Sequence, residues 1–217
     1  MDDGKPMQSP IRGQYYTELP QHMFTASDPE ESLAPTLLQL NSDLLANWGV
    51  DSQWFTTDAA LNVLSGGLGV GQEPPLAMAY SGHQFGNWSA LLGDGRAHML
   101  GHILAADGTC NDIQLKGSGR TPFSRGGDGR ATLGSVLREY VVSEAMAGLG
   151  IPTTRAVAIV ATGEFVRREQ AFPGAILVRS AASHLRVGSF EYAQSSSGEE
   201  GVRALADFCL RHYFPQI

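Results

Sequence analysis

An α+β fold, built on an antiparallel sheet with one helix inserted between its strands, is what this sequence predicts. Three observations point to it. The strand-like apolar runs come in neighbouring pairs, Ala97–Ala105 with Cys110–Lys116 and Arg155–Thr162 with Gly174–Ala182, where a doubly wound sheet would alternate each strand with a helix. A single amphipathic helical pattern, opening at Thr132, separates the two pairs. The turn Gly93-Asp94-Gly95-Arg96 leads into the first strand as a hairpin would.

Taken in order, residues 1–34 are rich in Pro, Ser, Asp and Glu with scattered aromatics (Tyr15, Tyr16, Phe24), and read as a loosely ordered segment draped over a later surface. Asn41 can cap a helix reaching Trp48, with Leu44, Leu45 and Trp48 on one face and Gly49 as its stop. Thr57 or Asp58 starts a second, ended by Gly66-Gly67. Both read as packing elements. Pro74-Pro75 breaks the chain before the glycine turn and the first strand pair. The inserted helix runs from Thr132 to about Gly148, with Leu133, Val136, Leu137, Tyr140, Val141 and Ala145 as its buried stripe, and is closed by Gly150 and Pro152. A polar connection over 163–174 joins the second strand pair. A Ser/Gly/Glu linker at 195–201 then precedes a last helix from Val202 to about Tyr213, which has Leu205, Phe208, Cys209 and His212 on one face. The divisions expected are therefore 1–34, a main unit over 35–194, and a linker plus helix over 195–217.

Composition narrows the function. With 217 residues, 42% hydrophobic and 17% charged, the chain can bury a sizeable core as an ordinary globular protein. A net charge of −7 argues against a nucleic-acid binder, which would carry a basic field over a whole face. Cys110 and Cys209 form no metal-ligand pattern, so a reduced, cytoplasmic setting is expected. The start MDDGKPMQSP has no apolar core of a secretory signal, and no apolar run is long enough to span a bilayer. His83 has no partner at metal-binding spacing.

Against this acidic background the stretch from Asn111 to Glu139 stands out. Five of the fifteen basic residues (Lys116, Arg120, Arg125, Arg130, Arg138) fall here, and Asp128 is the only acid between Lys116 and Arg138. Lys5, near the N-terminus, and Lys116 are the only lysines. Glycines among these cations let backbone N–H groups approach an anion, with phosphate favoured. Lys116 ends a strand, and Glu139 follows 23 residues later on a helix. That spacing matches the protein-kinase device in which a strand lysine, held by a helix glutamate, meets nucleotide phosphates, although the usual G-x-G-x-x-G-x-V is absent. A solvated surface ion pair fits the same spacing. Gly93 and Gly95 likewise fit either a plain turn or a close approach to a ligand, with Arg96 supplying charge.

The segments YSGHQFGNWSALLGDGRAHMLG, QLKGSGRTPFSRGGDGRATLGSVLREYVVSEAM, LGIPTTRA and SHLRVGSFEY resemble the selenoprotein O family, also known as YdiU, in order and from about Ala34 onward. The resemblance implies a pseudokinase fold, with this chain similar to the N-lobe, and transfer of AMP from ATP to Ser, Thr or Tyr hydroxyls of proteins; UMP transfer is also ascribed to bacterial members. It implies a nucleotide inverted relative to kinases. Gly93, Gly95 and Arg96 would contact ATP, Lys116 would bind phosphate with Glu139 orienting it, Asp128 and Gly129 would complete the pocket, and Arg179 and Arg186 would hold the inner phosphates. The partners implied are ATP, Mg²⁺ or Mn²⁺, and protein substrates. The family's catalytic and metal-binding residues lie in a second lobe and match nothing in this chain; they are expected downstream of Ile217. Weak ATP binding and no transfer by these residues alone is therefore the expectation. A non-catalytic nucleotide-binding module acting through partners is the competing reading, and an α+β scaffold whose basic loop takes another anion is a third.

Overall fold

The computed structural model describes residues 7–68, 73–214 and 216; Lys5 and Ile217 lie outside them. The strands are β1 (Ile11–Arg12), β2 (Phe24–Ala26), β3 (Thr36–Leu40), β4 (Leu76–Met78), β5 (Gly82–Gln84), β6 (Asn87–Ser89), β7 (Ala97–Leu104), β8 (Cys110–Lys116), β9 (Arg155–Arg167) and β10 (Ala171–Ala181). The helices are α1 (Ser42–Asn47), α2 (Asp58–Leu64), α3 (Leu133–Gly148) and α4 (Val187–Tyr213). The main sheet runs β2-β4-β7-β8-β10-β9-β3, with β1 also on β7, and its pairings are antiparallel. The fold is α+β, as the paired strand patterns predict. No helix among the described residues is long and apolar enough to cross a membrane.

The two-residue period of β8 divides the molecule. Ile113 and Leu115 point to one face, where Trp54, Phe55, Leu44, Leu45 and Leu64 of the α1–α2 region cover them together with Ile176 and Val178 of β10. Asp112, Gln114 and Lys116 point to the other. That face has two covers. Helix α3 packs Val136 on Ala156, Ile159, Ala175 and Leu177. The N-terminal segment and α4 pack Tyr16, Met23, Leu205 and Phe208 on Met99. Lys116 lies opposite Ala97 and Leu177, and Gln114 opposite Met99 and Arg179, so the polar side chains stand in the gap between the covers.

Several elements depart from the sequence reading. Residues 7–34 are ordered: β1 and β2 join the sheet and Tyr16, Leu19, Met23 and Phe24 are buried, because this polar-looking segment spaces its few apolar groups onto one surface. Tyr15 and Tyr16 both donate to the buried Asp112 carboxylate, and Tyr213 donates to Tyr16, tying the N-terminal segment and α4 to β8. Thr36–Leu40 is the edge strand β3, and Gly82–Ser89 is a small separate hairpin; neither is anticipated. The connection over 163–174 is instead a long hairpin, β9 running to Arg167 and β10 starting at Ala171, with strand pairing from Arg167↔Ala171 inward. The linker at 195–201 lies inside α4, which breaks only at Gly198 (φ 61, ψ −145). Helix α3 exposes Leu137, Val141 and Ala145 of its expected stripe, because it seats on the sheet through Val136 and the small Ser143, and those three residues turn outward.

Candidate functional site

Between the loop after β8, the hairpin β5–β6 and the start of α4 the gap opens into a cleft of about 780 Å³. All eight residues expected at an ATP site line it: Gly93, Gly95, Arg96, Lys116, Asp128, Gly129, Arg179 and Arg186. They come from five places in the chain. The β4–β7 connection brings the glycine turn, the end of β8 brings Lys116, and the loop after it brings Asp128 and Gly129. β10 and the α4 N-terminus bring the two remaining arginines. The catalytic and metal-binding groups expected downstream of Ile217 fall outside the described residues. Among the described residues no cluster of His, Cys, Asp and Glu is arranged to hold a metal ion.

Lys116 Nζ is 2.5 Å from Glu139 Oε2, the ion pair that the strand-to-helix spacing predicts. The other carboxylate oxygen, Oε1, takes Arg179 Nη1 at 3.0 Å. One carboxylate therefore serves two cations. Burial by itself would raise the Glu139 carboxyl, but Lys116 and Arg179 outweigh it and hold its pKa below the ordinary value. Burial, and then the Arg179 charge, push the Lys116 ammonium down despite Glu139. Neither cation is fully neutralised.

The cleft wall carries seven basic residues (Arg96, Lys116, Arg125, Arg130, Arg168, Arg179, Arg186) against two acids, Asp94 and Asp128. Arg168 takes Asp128 in a two-pronged pair, Nη1 to Oδ2 at 2.6 Å and Nη2 to Oδ1 at 3.0 Å, which lowers the Asp128 pKa. Arg130 turns away to Glu30 at 2.9 Å. Among the described residues Arg96 and Arg186 make no ion pair; Arg186 lies over the Tyr80 ring at 4.9 Å. Seven cations over so few carboxylates leave a surplus of positive charge facing the cavity, the electrostatics of a polyanion site. A smaller cavity of about 390 Å³ shares Arg96 and Arg168 and adds Arg138 and Phe172. Arg120 stays at the exposed edge of the loop and lines neither cavity.

The glycines do something the sequence reading did not include. Gly93 (φ +60) presents its Cα to the Phe123 ring, and a Cβ there would collide with it. Gly95 lies under the Phe123 carbonyl in the same way, so this turn is small because the loop after β8 folds onto it. Thr121 donates to Asp94 O at 2.7 Å and Ser124 to Gly95 O at 2.6 Å, locking loop to turn. Sequence reasoning also missed Gln114 and Asp94, both buried behind the cations. The alternation in NDIQLK could have found the first, since it places Gln114 on the same face as Lys116. Arg168 and Arg125 carry no sequence signal beyond their charge.

The family model described as protein adenylyltransferase SelO matches residues 12–217. The protein nucleotidyltransferase YdiU of Shewanella denitrificans is 57% identical over 209 residues, covering 96% of this chain and 41% of that protein. The YdiU proteins of Halalkalibacterium halodurans and Rhizobium johnstonii are each 52% identical over 202 residues, 93% of this chain and 41% and 40% of theirs. The chain spans about two fifths of the length of the curated relatives it matches.

Proposed function

The chain belongs to the SelO family of nucleotidyltransferases, and from that premise we propose that it is the ATP-binding part of a protein adenylyltransferase, with the cleft between the loop after β8 and the start of α4 as its triphosphate site. The observation that carries this reading is the convergence of Lys116, Arg96, Arg179 and Arg186 on one cavity, with Glu139 holding two of them from behind. The sheet with α3 across it is then a kinase-like N-lobe, and residues 35–194 are its nucleotide-binding unit, although β1, β2 and the strap they belong to are part of the same sheet.

In AMP transfer an acceptor hydroxyl oxygen bonds to the α-phosphorus, the bond to the β-phosphate bridging oxygen breaks, and pyrophosphate leaves with the electron pair. Negative charge grows on the leaving oxygens. Guanidiniums already fixed around them stabilise that charge without reorganising, which is how preorganised donors lower a barrier. Arg179, buried in the cleft wall, and Arg186, at its exposed edge, would serve that use. UMP transfer would follow the same course from UTP. The cleft's own carboxylates do not suit Mg²⁺: Asp94 is buried and hydrogen-bonded to Gln114 and the Met78 N–H, and Asp128 is held by Arg168. With both carboxylates engaged, these residues also offer no free base for the acceptor proton, and we infer that they bind nucleotide but do not transfer AMP alone. Protein mass spectrometry after incubation of a full-length relative with ATP, Mg²⁺ and candidate acceptors tests the reading. An AMP adduct that disappears when the lysine equivalent to Lys116 is replaced by Ala is expected; absence of any nucleotide adduct refutes it in favour of a non-catalytic binding module.

A further inference from the structure

We propose that Gln114 is a positioning residue for the triphosphate site: with Asp94 behind it, it fixes the plane of the Arg179 guanidinium so that this arginine meets phosphate without rearranging. The inference rests on the nucleotide reading above and extends it to the side chains that stand behind Arg179.

Gln114 is fully buried and lies directly across from Arg179 in the β8–β10 register. Its Oε1 accepts from Arg179 Nε at 2.9 Å and from Nη2 at 2.6 Å, gripping one edge of the guanidinium. Its Nε2 donates to Asp94 Oδ2 at 3.1 Å, and that oxygen also accepts the Met78 backbone N–H at 3.2 Å. The chain of contacts has one polarity. Arginine can only donate, so the amide oxygen must face Arg179 and its NH₂ must face Asp94 Oδ2, an oxygen that already accepts the Met78 N–H. Asp94 sets the amide, and the amide sets the arginine. Glu139 then holds Nη1 at 3.0 Å from the opposite side. A side chain with four rotatable bonds is thereby held at three nitrogens before any ligand arrives, and the ordering cost that a free arginine would meet on binding is already met in the fold. A neutral amide serves better here than a second carboxylate, because it orients the guanidinium and leaves its charge for an anion.

The test compares this chain with Gln114→Met, Arg179→Ala and the double variant, titrating each with ATP and with adenosine by calorimetry. Losing one well-oriented charge-assisted contact is expected to weaken ATP roughly tenfold in Gln114→Met. Adenosine, which has no phosphate for Arg179, should bind as before, and Gln114→Met should cost nothing further once Arg179 is Ala. Equal losses for ATP and adenosine, or additive losses in the double variant, would overturn the proposal by making Gln114 a general structural residue. If Arg179→Ala weakens ATP and Gln114→Met does not, the positioning role alone fails. If Arg179→Ala binds ATP like the parent, the phosphate reading of the cleft fails as well. Should Gln114→Met not fold, Gln114→Glu replaces it. That variant keeps the acceptor but cancels the Arg179 charge, so ATP should weaken with adenosine unchanged, and unchanged ATP affinity would again overturn the proposal.

Discussion

Replacing Glu139 by Gln removes the charge that Lys116 and Arg179 share. The carboxylate is 28% exposed, the Lys116 side chain 23% and the Arg179 side chain 10%, so the cluster is neither a surface pair nor a fully buried one. Exposed pairs contribute about 0–1 kcal/mol, whereas leaving a buried charge without its partner costs about 3–5 kcal/mol. Intermediate burial, and the survival of hydrogen bonds to a glutamine oxygen, place Glu139→Gln at a loss of about 2 kcal/mol. Urea unfolding reads this as a lower midpoint at unchanged slope. The loss should also carry a pH signature. Because the folded-state pKa of Glu139 lies below its ordinary 4.5, the unfolded chain binds the proton more readily, and the stabilisation is complete above that value. It is lost as pH falls through the folded pKa, so the gap between parent and variant should close under acid. ATP should narrow the gap at neutral pH, since phosphate oxygens can take over the vacated cations. A variant within about 0.5 kcal/mol of the parent at neutral pH, the scatter of ordinary surface substitutions, would show that Glu139 is a solvated charge and refute the reasoning.

Three further outcomes follow from the same structure. Arg96→Ala and Arg186→Ala, which break no ion pair, should each weaken ATP roughly tenfold while leaving the thermal midpoint nearly unchanged, as calorimetry and a melting curve would report. Gly129→Ala should be strongly destabilising to the loop and to ATP binding, because Gly129 has φ +67 and a Cβ there would run into the Gly119 carbonyl; a folded variant with normal affinity would contradict the loop's role. His98 is buried, and burial lowers its pKa from 6.5 to about 4, so it stays neutral in the fold while the unfolded chain takes up a proton. Stability should therefore fall as pH drops from 6.5 towards 4, by roughly 3 kcal/mol from this residue at 1.36 kcal/mol per pH unit, and a His98→Gln variant should lack that part of the slope.

Much of the fold was legible because hydrophobic period and turn chemistry agreed. Asn41 and Thr57 cap α1 and α2 through Leu44 N and Ala60 N as their residue types suggest. β7, β8 and α3 begin and end within a residue or two of their patterns. The Lys116–Glu139 pair was legible as spacing, because a strand end and a helix face define where two side chains can meet. What failed has physical reasons. The N-terminal segment is ordered by long-range contacts, Tyr15 and Tyr16 reaching Asp112 almost a hundred residues away, and no local period records these. The Ser/Gly/Glu stretch near 198 has poor helix propensity, yet the packing of Ala193, Leu205 and Phe208 on either side keeps it in α4. Arg179 and Arg186 reach the site only through resemblance, since nothing in composition separates an arginine held at a cleft from one in solvent. The function of Gly93 and Gly95 as seats for the Phe123 loop required the tertiary contact itself.

The most direct test of the central claim is a ³¹P NMR titration of ATP with this chain and with Lys116→Ala. Saturable movement of the phosphate resonances with the parent, and its loss in the variant, is the predicted result. Phosphate resonances that do not move with the parent, or that move identically with the variant, would contradict a triphosphate site built on Lys116 and its neighbouring arginines.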